Sequence, residues 1–346
     1  MLLKFLRTVV VIGILTGGLW SSAGAEAKIS ALVFGDYMYI PSHHDSLLDG
    51  KSGYVVRRIY FTYDNKMTER VSARLRLEMS QTDFGATKTQ TMTPFLKDAW
   101  IKWKFTSQHA LIAGISGTPT WGQVEKSWGY RWVIKTPLDL YKLGSSRDGG
   151  LALTRSGKTL GYHLMTGNGA STKNEADRGK KYYAAFSLGP PDKFVVQVYG
   201  DYQDSRGDEA NTATYVVQAF VGLGLGGHRA GLLYAYTLRE EGVGAEDLIV
   251  NVTSAYVVVK VTNRLKVFGR ADHLDGPNPG AVGIAFLPMV PTAEWTTVGT
   301  VGFDWAATEK VHVSPNVMTA HYGDDIITGE TPESDEYARI TVYYKF

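Results

Sequence analysis

Along most of this chain, apolar and polar residues trade places at every step. In VSARLRLEMS, Val71, Ala73, Leu75, Leu77 and Met79 share one side, and Ser72, Arg74, Arg76, Glu78 and Ser80 the other. DAWIKWKF sets Ala99, Ile101, Trp103 and Phe105 against Asp98, Trp100, Lys102 and Lys104. NRLKVFGRADH sets Leu265, Val267, Gly269 and Ala271 against Arg264, Lys266, Phe268, Arg270 and Asp272. The last ten residues, YARITVYYKF, set Ala338, Ile340, Val342, Tyr344 and Phe346 against Tyr337, Arg339, Thr341, Tyr343 and Lys345. Side chains on a strand point alternately to its two faces, so each segment reads as a strand with one apolar and one charged face. The spacing predicts about sixteen strands, near 28–40, 53–63, 69–80, 94–105, 109–116, 147–154, 159–168, 179–189, 192–203, 211–222, 228–239, 249–260, 264–273, 294–305, 310–321 and 336–346. Alternation is faintest at 147–154 and 294–305.

The connections alternate too. Short ones, such as DNKMTE, TSQ, RSGK, PPD and ATEK, take turns with longer loops at 41–52, 81–93, 117–146, 169–178, 204–210, 240–248, 274–293 and 322–335. Tight turns at one end and loops at the other are the pattern of an antiparallel up-and-down β-barrel in an outer membrane. An even strand number lets the last strand pair with the first and leaves no edge. Val342, Tyr344 and Phe346 then face lipid, while Arg339, Thr341 and Lys345 face a wet lumen. The rival fold is an exported β-sandwich, which also has one apolar face per strand. Strands of ~10 residues exceed the ~5–6 usual in soluble proteins, and aromatics crowd the strand ends; both favour the barrel.

Export is written at the front. MLLKFLRTVVVIGILTGGLWSSAGA has Lys4 and Arg7, an apolar stretch from Thr8 to Leu19, and Ala23-Gly24-Ala25. This is the layout of a secretory signal peptide, 1–25, preceding a barrel of 26–346. Removing it takes the formal net charge from +2 to 0, because Lys4 and Arg7 leave and no acid does. A neutral chain lacks the basic field that nucleic acid requires. The chain has no cysteine, so an exported fold must be held by something other than disulfides, and a closed sheet suffices.

The loop at 117–146 is unusual. It carries Trp121, Trp128, Tyr130 and Trp132 beside Lys126, Arg131, Lys135, Asp139 and Lys142, with Arg147 just beyond. Thr136-Pro137-Leu138-Asp139 reads as a helix start, with Thr136 as N-cap. A loop this long and aromatic is expected to fold inward and narrow a lumen rather than lie over it. Parity places Arg58, Arg74, Arg76, Lys102, Lys104, Lys266, Arg270 and Arg339 on the lumen face, against Glu78, Asp98, Asp201, Asp272 and Asp304. Fixed positive charge in a narrow passage concentrates anions. Acids paired with those bases across strands would cancel much of the field.

GYVVRRIYFTYD, LKDAWIKWKF and WGYRWVIKTPLDLYKLGSSRD resemble stretches of Gram-negative general porins, and more narrowly the family of phosphate-selective porins O and P. The resemblance covers most of the chain loosely and is strongest in 53–148 and at the C-terminus. It implies a sixteen-stranded barrel in the bacterial outer membrane, often a homotrimer. The third long loop then forms the constriction. Arginine and lysine ladders line the pore of anion-selective members. The implied function is passive diffusion of small hydrophilic solutes or anions, with membrane lipid as the surroundings and no cofactor.

Other signals point nowhere strong. Gly222-Leu-Gly224-Leu-Gly226-Gly227 fits a dinucleotide-binding pattern, but the HRAGLLYAYTL that follows reads as strand rather than helix, so a turn is expected. His43-His44-Asp45 is a local polar cluster with no evident distant partner, and no metal site is assigned. Asn251-Val-Thr253 fits a glycosylation sequon without consequence in a bacterium. His163, His312, Ser187 and Ser314 share the polar parity, yet no serine sits in a nucleophile elbow, so no enzyme is expected. A non-conducting structural or adhesive barrel is the remaining rival.

Overall fold

A computed structural model describes residues 26–81, 91–157, 159–175, 178–190, 193–204, 212–240 and 246–346. The expected signal peptide lies outside them. The strands are β1 (Glu26–Ser42), β2 (Ser52–Lys66), β3 (Val71–Met79), β4 (Phe95–Lys104), β5 (His109–Gly117) and β6 (Arg147–Ser156). Then come β7 (Leu160–Gly167), β8 (Lys180–Leu188), β9 (Phe194–Asp204), β10 (Ala213–Leu225) and β11 (His228–Arg239). The last are β12 (Leu248–Lys260), β13 (Leu265–Asp275), β14 (Trp295–Ala306), β15 (Val311–Tyr322) and β16 (Asp335–Lys345). Every strand pairs antiparallel with its sequence neighbours, and β16 returns to β1, with Leu32 opposite Lys345 and Tyr39 opposite Ala338. The sixteen-strand sheet is closed. The two faintest segments of the sequence pattern are β6 and β14.

Hydrophobic and polar residues are turned inside out relative to a water-soluble protein. Leu75, Ile101, Leu151, Phe186, Val217, Leu232, Val257, Val301, Val317 and Ile340 all lie exposed on the outer face. An apolar surface of this extent is not tolerated in water and matches the lipid-facing band of a membrane barrel. Trp103, Phe105, Phe194, Trp305 and Phe346 ring the short-turn end, and Tyr39, Tyr54, Tyr182 and Trp295 the loop end. Aromatic rings of this kind sit at the two lipid–water interfaces. On β16, Val342, Tyr344 and Phe346 are exposed, whereas Arg339 and Thr341 are buried toward the interior. The glycine-rich stretch after Phe220 is a strand that ends in a tight turn, where Gly226 and Gly227 take φ of 60° and 94°. Both angles lie where only glycine is unstrained.

Four loops matter for the interior: L1 (43–51), L3 (118–146), L7 (276–294) and L8 (323–334). L3 folds inward and carries two short helices, α1 (Gly122–Trp128) and α2 (Pro137–Leu140). α1 stops at Gly129, whose φ of 72° suits a glycine cap. Pro137 opens α2 as expected. Thr136 differs from expectation: its backbone is extended but its side chain caps nothing, and its buried hydroxyl has no partner among the described residues. L7, read from sequence as an ordinary connection, also folds inward. It makes a 3-10 turn at Pro279–Gly283 and buries Ile284, Leu287, Met289 and Val290.

L3 leans on the far wall, β9 to β15. Trp128 and Tyr130 pack edge-on at 5.5 Å, and Tyr130 lies 4.7 Å from Phe268. Polar anchors fix the register. Tyr141 donates to Asp272 at 2.8 Å, Tyr256 to Ser127 at 2.6 Å, Tyr130 to Asp304 at 3.3 Å and Trp132 Nε1 to Ser314 at 3.3 Å. Asn278 of L7 donates to the Tyr141 carbonyl at 3.0 Å. Half of the barrel is therefore a packed core, and the open passage is pushed against β1 to β5.

If the outer face touches acyl chains, Leu232→Arg should lower unfolding free energy in liposomes by about 2–4 kcal/mol. Lys104→Ala, at the exposed turn end, should change it by no more than about 0.5 kcal/mol. Denaturant titration of the vesicle-embedded protein measures both.

Candidate functional site

Two breaks in strand register build the constriction. Phe34 of β1 pairs with Arg58, but Gly35 pairs with Val56, which leaves Arg57 as an extra residue in β2. Arg76 of β3 pairs with Asp98, but Leu77 pairs with Leu96, which leaves Lys97 extra in β4. A β-bulge re-aims the side chains at the break. Strict alternation would send Arg57 and Lys97 to lipid; the bulges bring both inside. The guanidiniums of Arg57 and Arg58 stand 5.2 and 5.6 Å from the Phe34 ring. Gly35 makes room for the first bulge, since a Cβ there would lie 2.3 Å from the Val55 carbonyl oxygen.

Opposite this wall stands the charged side of L3: Arg131, Lys135 and Asp139. An outer cavity of about 230 Å³ and an inner one of about 430 Å³ meet at Phe34, Arg58, Lys97, Arg131, Asp139 and Ser146, which both cavities share. That ring of residues forms the neck between the two cavities.

Two carboxylates at the neck, Glu78 and Asp98, each serve two cations, while Arg131 and Lys135 share Asp139 and Glu125, and Arg57 has Asp36. Glu78 receives Arg58 at 2.7 Å and Lys97 at 2.8 Å. Asp98 receives Arg76 at 3.2 Å and also Arg147. Asp139 receives Arg131 at 2.8 Å and Lys135 at 3.6 Å, while Arg131 also reaches Glu125 at 3.3 Å. Asp36 holds Arg57 at 2.5 Å. Asp36, Glu78 and Asp98 are buried in the wall behind these bases. The acids hold the bases in place, and positive charge remains in excess.

Residues 34–221, more than half of the chain, match the family model described as phosphate-selective porin O and P. The chain belongs to the phosphate-selective porin O and P family. It is an outer-membrane porin. Its fold is similar to the anion-selective porin from Comamonas acidovorans, with a TM-score of 0.69 at 11% identity over 93% of this chain and 100% of that one. It is also similar to OmpT, an outer-membrane protein of Vibrio cholerae, with a TM-score of 0.65 at 10% identity over 94% and 99%. The outer membrane channel DcaP of Acinetobacter baumannii gives 0.64 at 11% identity over 95% and 99%. Among curated proteins, no sequence matches significantly.

The bases of this porin that parity and the long loop singled out lie in different settings. Arg58, Arg76 and Arg147 stand at the neck or the inner cavity. Arg74 is held by Asp64 at 2.7 and 3.0 Å and lies 5.4 Å from the Trp100 ring. Lys102 and Lys126 line a third cavity of about 250 Å³ between α1 and the β4–β9 wall. Lys104 is exposed at the turn end, and Lys266 is half-buried. Arg270 is buried, pairs with Asp272 and donates to the Lys135 carbonyl at 2.5 Å, so it holds L3 rather than facing the passage. Arg339 is buried as well: its Nε donates to Asn316 at 2.9 Å, while Nη1 and Nη2 have no hydrogen-bond partner among the described residues and the side chain lines the outer cavity. Lys142 sits apart against L7, with a φ of 58°. Sequence reasoning missed Arg57 and Lys97, hidden by the bulges. It also missed Arg229, which packs 5.2 Å from the Tyr130 ring.

Within L3, burial raises the Asp139 carboxyl, but Arg131, Lys135 and Arg58 outweigh burial and hold it at about 2. Burial, joined by the like charges of Arg131 and Arg58, lowers Lys135 to about 8 against the pull of Asp139. The ammonium is the form present below that value. Raising pH from 7 to 9 should therefore remove one positive charge at the neck, and anion preference should fall. Lys135→Arg should abolish this dependence. Bilayer reversal potentials under a salt gradient, recorded at both pH values, are the check.

Proposed function

We propose that this porin passes small hydrophilic solutes and prefers anions. The reading rests on the surplus of bases: Glu78 and Asp98 each fix two cations, so these acids hold their bases without neutralising both. A unit charge felt at about 6 Å through an effective dielectric near 40 is worth about 1.4 kcal/mol, or tenfold in local ion concentration. Selectivity is assigned to Arg58, Lys97, Arg131 and Lys135 at the neck, with Arg57, Arg76 and Arg147 beside them. Arg74, Lys102 and Lys104 act at longer range. Two cavities joined at a neck support conduction over a plugged adhesive barrel.

A hydrolase finds little support. His312 Nδ1 lies 2.9 Å from Asp304, and Ser314 donates to the same carboxylate at 3.2 Å, so the acid stands where the serine's base would be needed. His163 and Ser187 line the third cavity without a hydrogen bond between them among the described residues. We also propose cleavage of the signal peptide after Ala25 and assembly as a homotrimer. One of the similar Vibrio cholerae OmpT structures is described as a trimer form. N-terminal sequencing and native mass measurement of the purified porin test these two points.

Planar-bilayer recording tests the pore. Discrete openings should appear, with a reversal potential on the anion side. Arg131→Glu should shift the anion-to-cation permeability ratio by about tenfold or more toward cations. Arg74→Glu should shift it less, because Arg74 lines neither of the two cavities that meet at the neck. No openings from folded protein would end the porin reading, and an unmoved ratio in Arg131→Glu would end anion preference by the neck.

A further inference from the structure

His43 and His44 stood in the sequence without a distant partner. The fold supplies one, and it is not the adjacent Asp45, whose carboxylate accepts the Leu47 amide at 3.0 Å. L1 brings both histidines onto Asp335, the first residue of β16, almost the whole chain away. Asp335 and His43 are fully buried, and His44 is half-buried. The Nδ1 atom of His44 lies 2.8 Å from Asp335 Oδ1, and Nε2 of His43 lies 3.7 Å from Oδ2. All three residues offer a ligand atom within 4.8 Å of the other two. His43 Nε2 has no hydrogen-bond partner among the described residues, although the side chain is wholly buried and aimed at the carboxylate.

We propose that His43, His44 and Asp335 form a site for one divalent transition cation of the Zn²⁺ or Ni²⁺ class, clasping L1 to the start of β16. An ion about 2.1 Å from each of four ligands wants them ~3.4 Å apart. The two histidine–carboxylate separations, 2.8 and 3.7 Å, lie on either side of that spacing, and with all ligand atoms within 4.8 Å of one another, side-chain adjustment can close them on an ion. Two imidazoles and one carboxylate are donors for such metals, whereas Ca²⁺ and Mg²⁺ require shells of oxygen.

The proton balance closes without release. His43 Nδ1 accepts the Asp45 amide at 2.9 Å, so in the metal-free protein its hydrogen is on Nε2. On binding, that hydrogen moves to Nδ1 and the Asp45 contact is given up, a change confined to an exposed turn. The His44 hydrogen moves from Nδ1 to Nε2. The carboxylate still accepts the Tyr322 hydroxyl and the His44 amide, the latter at 2.8 Å. Water takes the fourth position.

The test uses the intact porin in detergent, freed of metal by chelation, with Zn²⁺, Ni²⁺, Co²⁺ and Ca²⁺ each added alone. The proposal expects one Zn²⁺ or Ni²⁺ bound per chain by calorimetry, no comparable Ca²⁺ uptake, and an intense visible Co²⁺ spectrum of a four-coordinate site. His44→Ala and Asp335→Asn should each weaken Zn²⁺ binding at least tenfold. Conductance of His44→Ala in metal-free buffer should be unchanged, since this residue is remote from the neck. The wild-type measurements stand even if Asp335→Asn fails to fold. Absence of Zn²⁺ and Ni²⁺ binding at millimolar concentration, preference for Ca²⁺, or equal affinity in folded His44→Ala would overturn it. None of these outcomes bears on whether the pore conducts.

Discussion

Backbone hydrogen bonding in a medium without water governs everything else in this molecule. Hydrocarbon offers no partner to an unpaired amide or carbonyl, so a strand can lie in it only if both its edges are paired. The pairing of β16 with β1 meets that demand for the whole sheet at once. Once the sheet is closed, alternation along each strand must sort residues into a lipid side and an interior side. The interior, which holds the wet passage, is then the one place in the membrane where so many charged groups can be gathered at low cost.

The same requirement explains what could be read from the amino acids and what could not. Closure makes the period-two signal uniform, and this is why all sixteen strands, their order and the alternation of turns with loops were legible. Aromatic density marked L3 as a loop that could not lie in water. Arg57 and Lys97 were illegible for the opposite reason. Each sits at the single position where its strand departs from alternation, and nothing local in GYVVRRIY or PFLKDAW announces a bulge. Arg270 shows another limit. Parity gave its side correctly, but only packing shows that it faces the Lys135 carbonyl and Asp272 instead of open water. L7 buries Ile284, Leu287 and Met289 through a stretch whose apolar residues have no regular period, and so it read as an ordinary connection.

Sharing one carboxylate between two bases resolves a conflict at the neck. Bare arginines crowded together would repel one another and swing aside, while fully matched pairs would present no field. Recessing Glu78 and Asp98 behind their bases fixes the geometry and leaves the surplus charge facing the solute. Because this charge borders water, added salt will screen it over distances of about 8–10 Å.

L7 has a mechanical consequence. It is stitched to L8 by the Thr292 hydroxyl on Asp325 at 2.7 Å and by the Ile326 amide on the Thr292 carbonyl at 2.9 Å. It is stitched to L3 through Asn278. The outward-facing rim and L3 are thus joined by a short run of directional bonds rather than by slack chain. A large body gripping the rim from outside has a lever on solute traffic without ever entering the channel.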